Sequence, residues 1–360
     1  MAKRAYTYTL NGPKDGGQRK TMTTDTGAVT TYIYDKLNRL TSATVGTITD
    51  SWTYDANSNR LTEAKTGTAT VYTTFNAADQ LCWHGTTPGT CAAPPSGAVM
   101  YGYDANGNTT LAGSTGTTQA YNVFNQFITN TSGSTVTNYT YAGVRNDERI
   151  TAGSTSFLNG SLGVTQQTKS GGTTSFIRDP DGTLISMRDS AGASYYYTTD
   201  ALGSVILLTD SNQAKAATYG YDSWGQATST TGAQAATNPW TYAGGYNDTT
   251  SNRIKFGARY YNPARGRFTQ PDPSGKEANR YAYVKCNPVN ATDPTGLDSS
   301  GECIGAAAGI LVPTVSFLWF AGSILGAVYT GGALVPLAFE MGVSFFGIIG
   351  AGMRANTYCN

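Results

Sequence analysis

The stretch TYIYDKLNRLTSA (residues 31–43) returns as SWTYDANSNRLTEA (residues 51–64), and few folds are open to a chain built on such a unit. The shared pattern is aromatic-x-Tyr-Asp, a short turn, then Arg-Leu-Thr. From Asp35 the next copy opens at Asp55, 20 residues on, and the following one at Asn76, 21 further. Asp104 comes 28 later, after an insertion bracketed by two cysteines, and Asn125 another 21 on. Residues 139–151 read as a degenerate copy, and Asp179, Asp200 and Asp222 follow with gaps of 21 and 22.

Side chains alternate along a strand, so Tyr-x-Tyr puts two rings on one face. Asp or Asn and a few small residues then make a turn, and Arg-Leu-Thr starts the return strand. Each copy is thus a hairpin with a tyrosine ladder on one face. One hairpin cannot bury that face alone, whereas stacked hairpins can, as a long curled antiparallel sheet. Composition agrees: Tyr numbers 24 and Gly 43 of 360 residues, and charged residues only 13%, so the chain reads as all-β. The tyrosines read as sheet packing rather than a sugar-binding surface. The repeated Asp reads as a turn cap, since Asp-x-Asp-x-Asp calcium spacing is absent.

A net charge of +1 gives no reason to expect a nucleic-acid partner, and a single histidine, His84, excludes a multi-histidine metal site. No metal or cofactor is expected. His84 is expected to be exposed and inert, while Trp52, Trp83, Trp224 and Trp240 are expected to pack. Cys82 and Cys91 bracket a ten-residue loop that would close as a disulfide in an oxidising compartment, or hold two unrelated thiols. The first seventeen residues lack the apolar run of a signal peptide, so export would use another route or the chain is a piece of a longer one.

Two Asp-Pro-x-Gly units lie 21 residues apart, at Asp272 and Asp293. One reading is a pair of rigid loops, because Pro273 and Pro294 fix φ and Gly275 and Gly296 permit positive φ. The other uses both carboxyls: if the intervening NRYAYVKCN made a hairpin, the two would meet, and two carboxyls sharing a site hold one proton between them. One member can then activate water while the other protonates a carbonyl or leaving nitrogen. Arg267 of the preceding GRF is a candidate to bind and ionise one of them.

The repeat wording resembles the YD repeats of Rhs proteins, teneurins and Tc-toxin C subunits, over roughly residues 5–297. The segments TTDALGSVILLTDSNQAKAATYGYDSWG, KFGARYYNPARGRFTQPDPSG and NRYAYVKCNPVNATDPTGL resemble the Rhs-associated core. The resemblance implies a spiralling sheet that winds into a hollow shell around a C-terminal polypeptide. It divides the chain into a YD-repeat array (1–194), the core (195–297) and a variable tail (298–360). It also implies a self-cleavage signature, Pro-x4-Asp-Pro-x-Gly-Leu, hydrolysed after the leucine. Pro288, Asp293, Pro294, Gly296 and Leu297 match it, and Asp272 supplies the partner carboxylate, with Lys276 where the first unit has leucine. The implied catalytic pair is Asp272 and Asp293, and the scissile bond is Leu297–Asp298.

The tail carries no charge between Glu302 and Glu340. Residues 304–329 and 333–353 are apolar stretches of 26 and 21, with GxxxG spacings at Gly305/Gly309 and Gly322/Gly326. They read as an apolar α-helical hairpin that enters a lipid membrane through 304–353, with Glu340 lining a wet path or pairing on assembly. Three roles are open to it: a membrane-permeabilising effector cargo, an anchor, or a plug packed inside the shell. Two functions follow. One is a polymorphic toxin, secreted or at the cell surface, whose core frees the tail and which meets immunity and delivery proteins. The other is a non-cleaving surface protein anchored by that tail.

Overall fold

The computed structural model describes residues 4–8, 17–113, 117–144 and 147–297. The expected α-helical hairpin in 298–360, with Asp298 and Glu340, lies outside them.

The hairpin unit begins at its turn. Between strands Val29–Tyr34 and Leu40–Val45, the Asp35 carboxylate accepts the amides of Leu37 and Arg39, each at 2.9 Å. Asn38 takes a left-handed conformation (φ 60°), and the register shifts by one residue between Ile33 and Tyr34. This is a tight turn followed by a left-handed residue that makes a bulge. The side-chain bond to the amide four residues on recurs at Asp55, Asn76, Asp104, Asn122, Asp179, Asp200 and Asp222. It recurs also at Asp189 and Asp210, at the opposite end of the hairpins. Asp therefore serves as the turn cap in these copies. One assignment shifts: Asn122, not Asn125, opens the fifth turn, and Asn125 occupies the left-handed position (φ 59°).

In five copies the second tyrosine ties one hairpin to the last. The Tyr34 hydroxyl donates to Arg19 O, Tyr54 to Leu40 O, Tyr103 to Leu81 O, Tyr141 to Phe127 O and Tyr221 to Val205 O. The aromatic two residues earlier turns into the core: Tyr32, Trp52, Tyr139 and Tyr219 are all buried.

Twenty-two strands, from Arg4–Tyr8 to Ala227–Thr231, pair antiparallel each with the next and form one sheet. Its first strand reaches the turn after Ser194–Thr199, where the Ala201 amide donates to the Tyr6 hydroxyl at 3.4 Å. Beyond Thr231 the chain leaves this sheet. Short strands Tyr246–Asp248, Arg253–Phe256, Arg259–Asn262 and Arg267–Phe268 form a separate four-stranded sheet. Among the described residues the only helices are single 3-10 turns, and none is long and apolar enough to cross a membrane.

Residues 238–297 are held against the large sheet at many points along it. Cys286 and Val289 pack with Tyr32, Leu40, Trp52 and Trp224. Tyr260 packs with Phe127 and Tyr139, while Trp240 and Tyr246 pack with Phe157, Phe176 and Met187. Repeat arginines add polar ties: Arg60 Nη2 donates to Ala264 O at 2.8 Å, and Arg149 Nη1 pairs with Asp248 Oδ2 at 2.6 Å. Trp83 is fully buried and donates to Thr90 O inside the cysteine loop, which the Cys82–Cys91 disulfide closes. His84 is not exposed, because its strand turns it under Tyr101, whose hydroxyl lies 3.1 Å from Nδ1.

Candidate active site

The two Asp-Pro-x-Gly units fold as similar turns, each organised by its own aspartate. Asp272 Oδ1 accepts the Ser274 amide at 2.9 Å, and Asp293 Oδ1 accepts the Leu297 amide and the Thr295 hydroxyl, both at 3.2 Å. Gly275 and Gly296 take the positive φ values, 67° and 65°. At Gly296 glycine is also sterically required, because a Cβ there would run into Phe256 O and the Arg259 amide. Both carboxylates are buried, at 0% and 1% exposure, while Leu297 is 37% exposed.

The two turns meet directly. Ser274 Oγ lies 2.7 Å from Asp272 Oδ2 and 2.8 Å from the carbonyl oxygen of Leu297. Leu297 is thus held by its amide on Asp293 and by its carbonyl through Ser274 next to Asp272. Its carbonyl belongs to the bond with Asp298, which lies outside the described residues. No hairpin brings the turns together. Residues 279–287 instead wind through left-handed Val284, Lys285 and Cys286 (φ 45°, 52° and 62°), and only Ala282 bridges to Arg267.

The guanidinium at the site belongs to Arg259, not Arg267. Arg259 Nη2 pairs with Asp293 Oδ2 at 3.1 Å, Nε donates to Gly296 O at 2.5 Å, and Nη1 donates to Arg280 O at 3.1 Å. The Arg280 carbonyl also accepts the Asp272 amide at 2.7 Å, so one carbonyl links Arg259 to both turns. Burial lowers the Arg259 pKa, and the fields of Asp293 and then Asp272 act against that. Its guanidinium stacks 3.6 Å over the Phe268 ring. Arg267 turns the other way: it donates to Asp79 O and lies between the rings of Phe75 and Tyr281. Arg259 sits in the wholly buried strand RYYN, where no polar alternation marks it out in the sequence.

The remaining motif residues support the site from a distance. The Pro288 carbonyl accepts the Tyr242 hydroxyl at 2.9 Å in the aromatic core of the small sheet. Pro294 leads from Asp293 into the turn whose Thr295 carbonyl accepts the Ala258 amide at 2.8 Å. Among the described residues no group of three His, Cys, Asp or Glu could hold a metal ion.

A long sheet of stacked Tyr-Asp hairpins, with residues 238–297 packed against it, defines the class of a YD-repeat protein. The family described as teneurin YD-shell matches residues 17–288, more than half of the chain, and the chain belongs to that family. It is 36% identical over 131 residues to the tRNA3(Ser)-specific nuclease WapA of Bacillus spizizenii, covering 34% of this chain and 6% of that protein. It is 28% identical over 207 residues to double-stranded DNA deaminase toxin A of Burkholderia cenocepacia, covering 49% of this chain and 14% of that one. Among solved structures, the Photorhabdus luminescens Tc holotoxin pore matches with a TM-score of 0.51 at 16% identity, over 82% of this chain and 18% of that one. The chain therefore spans only a small part of each of these relatives, and the structural likeness speaks for the fold.

Proposed function

We propose that this chain is the terminal part of a polymorphic-toxin shell that cleaves its own backbone after Leu297 to free residues 298–360. The convergence of two buried carboxyls on one residue carries this reading: Asp293 binds the Leu297 amide, and Asp272 reaches its carbonyl through Ser274. In this reading Asp293, ion-paired with Arg259, is the base that takes a proton from water. Asp272 holds the shared proton and activates the carbonyl. Water adds to the Leu297 carbonyl carbon, Asp293 passes its proton to the Asp298 nitrogen, and the C–N bond breaks. The chain acts once, on itself.

The 22-stranded sheet is read as a curled partial shell, with 1–194 as the repeat array and 195–297 as the core that closes it. One partial relative is named a deaminase toxin and another a tRNA nuclease, which favours a toxin over a passive surface array. The protein is placed outside the cell or at its surface, with delivery and immunity proteins as partners. The freed tail is the cargo: an apolar hairpin that inserts into lipid through 304–353, with Glu340 lining a wet path or pairing on assembly.

Full-length protein carrying Asp272→Asn or Asp293→Asn is expected to stay whole on a gel while the unaltered chain yields two fragments. The processed sample should release dye from liposomes. Cleavage without leakage would sink the membrane-active cargo. An unaltered folded chain that stays whole would leave the anchored, non-cleaving surface protein as the better account.

A further inference from the structure

We propose that Ser274 is a catalytic residue of this cleavage, passing the Asp272 proton to the Leu297 carbonyl oxygen; the inference rests on the self-cleavage reading above. The argument is one of hydrogen-bond supply. A serine hydroxyl has one proton to donate and two lone pairs that accept. Ser274 Oγ has three polar neighbours: Asp272 Oδ2 at 2.7 Å, Leu297 O at 2.8 Å and the Lys276 amide at 3.3 Å. The amide can only donate, and the carbonyl can only accept. The hydroxyl proton therefore belongs to Leu297 O if that contact is a hydrogen bond. Asp272 Oδ2 must then donate, so it carries a proton. In this arrangement all three contacts are satisfied. With an ionised Asp272, two acceptors compete for one proton and one contact is lost.

The rest of the turn agrees. The Ser274 amide occupies Asp272 Oδ1 at 2.9 Å, which leaves Oδ2 as the oxygen that bears the proton. As water adds to the carbonyl carbon, the Ser274 proton moves to Leu297 O and the Asp272 proton moves to Ser274 Oγ. When the tetrahedral centre collapses, the same two protons return and the C–N bond breaks. Serine ends as it began, so it is a relay and not a nucleophile. Its oxygen sits at hydrogen-bonding distance from the carbonyl oxygen.

The test is the cleavage rate of the refolded full chain, unaltered and with Ser274→Ala, Ser274→Thr and Asp293→Asn. Ser274→Ala should cleave about 100-fold more slowly, the scale of losing one donor to a developing oxyanion. Ser274→Thr, which keeps the hydroxyl, should stay within about tenfold of the native rate. Ser274 is exposed, so the alanine variant should melt together with the uncleaved Asp293→Asn protein, which separates a lost proton path from a lost fold. Alanine cleaving at the native rate, or threonine as slow as alanine, would overturn the relay while leaving self-cleavage intact. A native chain that folds and stays whole would instead remove the self-cleavage reading, and the relay with it.

Discussion

His84 shows how burial sets the chemistry of a single side chain. Its ring is half-buried beside Tyr101, and burial first, then the field of Arg265, lowers its pKa to about 4 from 6.5. The unfolded chain therefore binds a proton near pH 6.5 that the folded chain binds only near pH 4. The stabilising contribution is complete above pH 6.5 and is lost as pH falls from 6.5 to 4. Solvent screening at a half-buried site limits it to about 1–2 kcal/mol. Urea unfolding at pH 7 and pH 4.5 should show that loss in the native protein and not in His84→Gln. Equal loss in both would place the acid sensitivity elsewhere. Neither this burial nor the Arg259 pairing was legible from residue type. Arg259 and Arg267 lie on neighbouring strands of one small sheet, and only the three-dimensional register decides which guanidinium meets Asp293. The two aspartate-organised turns were legible, because each Asp-Pro-x-Gly writes its own turn.

At the scale of the element, the unit is a strand pair stapled twice. Asp caps the turn, and the tyrosine before it donates to the carbonyl that opens the return strand of the hairpin before. Tyr54→Phe removes the staple to Leu40 O while keeping the ring, and leaves that carbonyl one partner short. A loss of about 1–1.5 kcal/mol is expected, read as a lower urea midpoint at unchanged slope. No change would mean that the ring alone holds the repeat. The repeat was readable because Tyr, Asp and the turn each obey a local rule. The fifth copy slipped by three residues because Asn122 and Asn125 suit both the capping and the left-handed positions. The hairpin expected over 279–287 failed for a tertiary reason. NRYAYVKCN has strand-like residues, yet a β-branched Val284 is held at φ 45° with its side chain buried in the aromatic core.

At the scale of the whole molecule, a 22-stranded sheet and the segment it holds depend on one another. The sheet presents aromatic faces that no hairpin can bury alone, and residues 238–297 cover them at sites contributed by widely separated repeats. That dependence places the two Asp-Pro-x-Gly turns. Arg259, Arg280 and Ser274 join them with the small sheet seated among the repeats. Asn279 is itself tied to Asn57 O and the Asn59 side chain, more than two hundred positions earlier. Cleavage should therefore require the folded array. All-β stacking was legible from the sequence at this scale, whereas the embedded four-stranded sheet was not, because its strands are two to four residues long and carry no repeat. The most direct measurement is the intact mass of the folded, full-length chain after incubation at neutral pH. The account predicts two masses, one ending at Leu297 and one beginning at Asp298, which denaturant present from the start prevents. A single full-length mass from correctly folded protein, or a cut at any other bond, would contradict it.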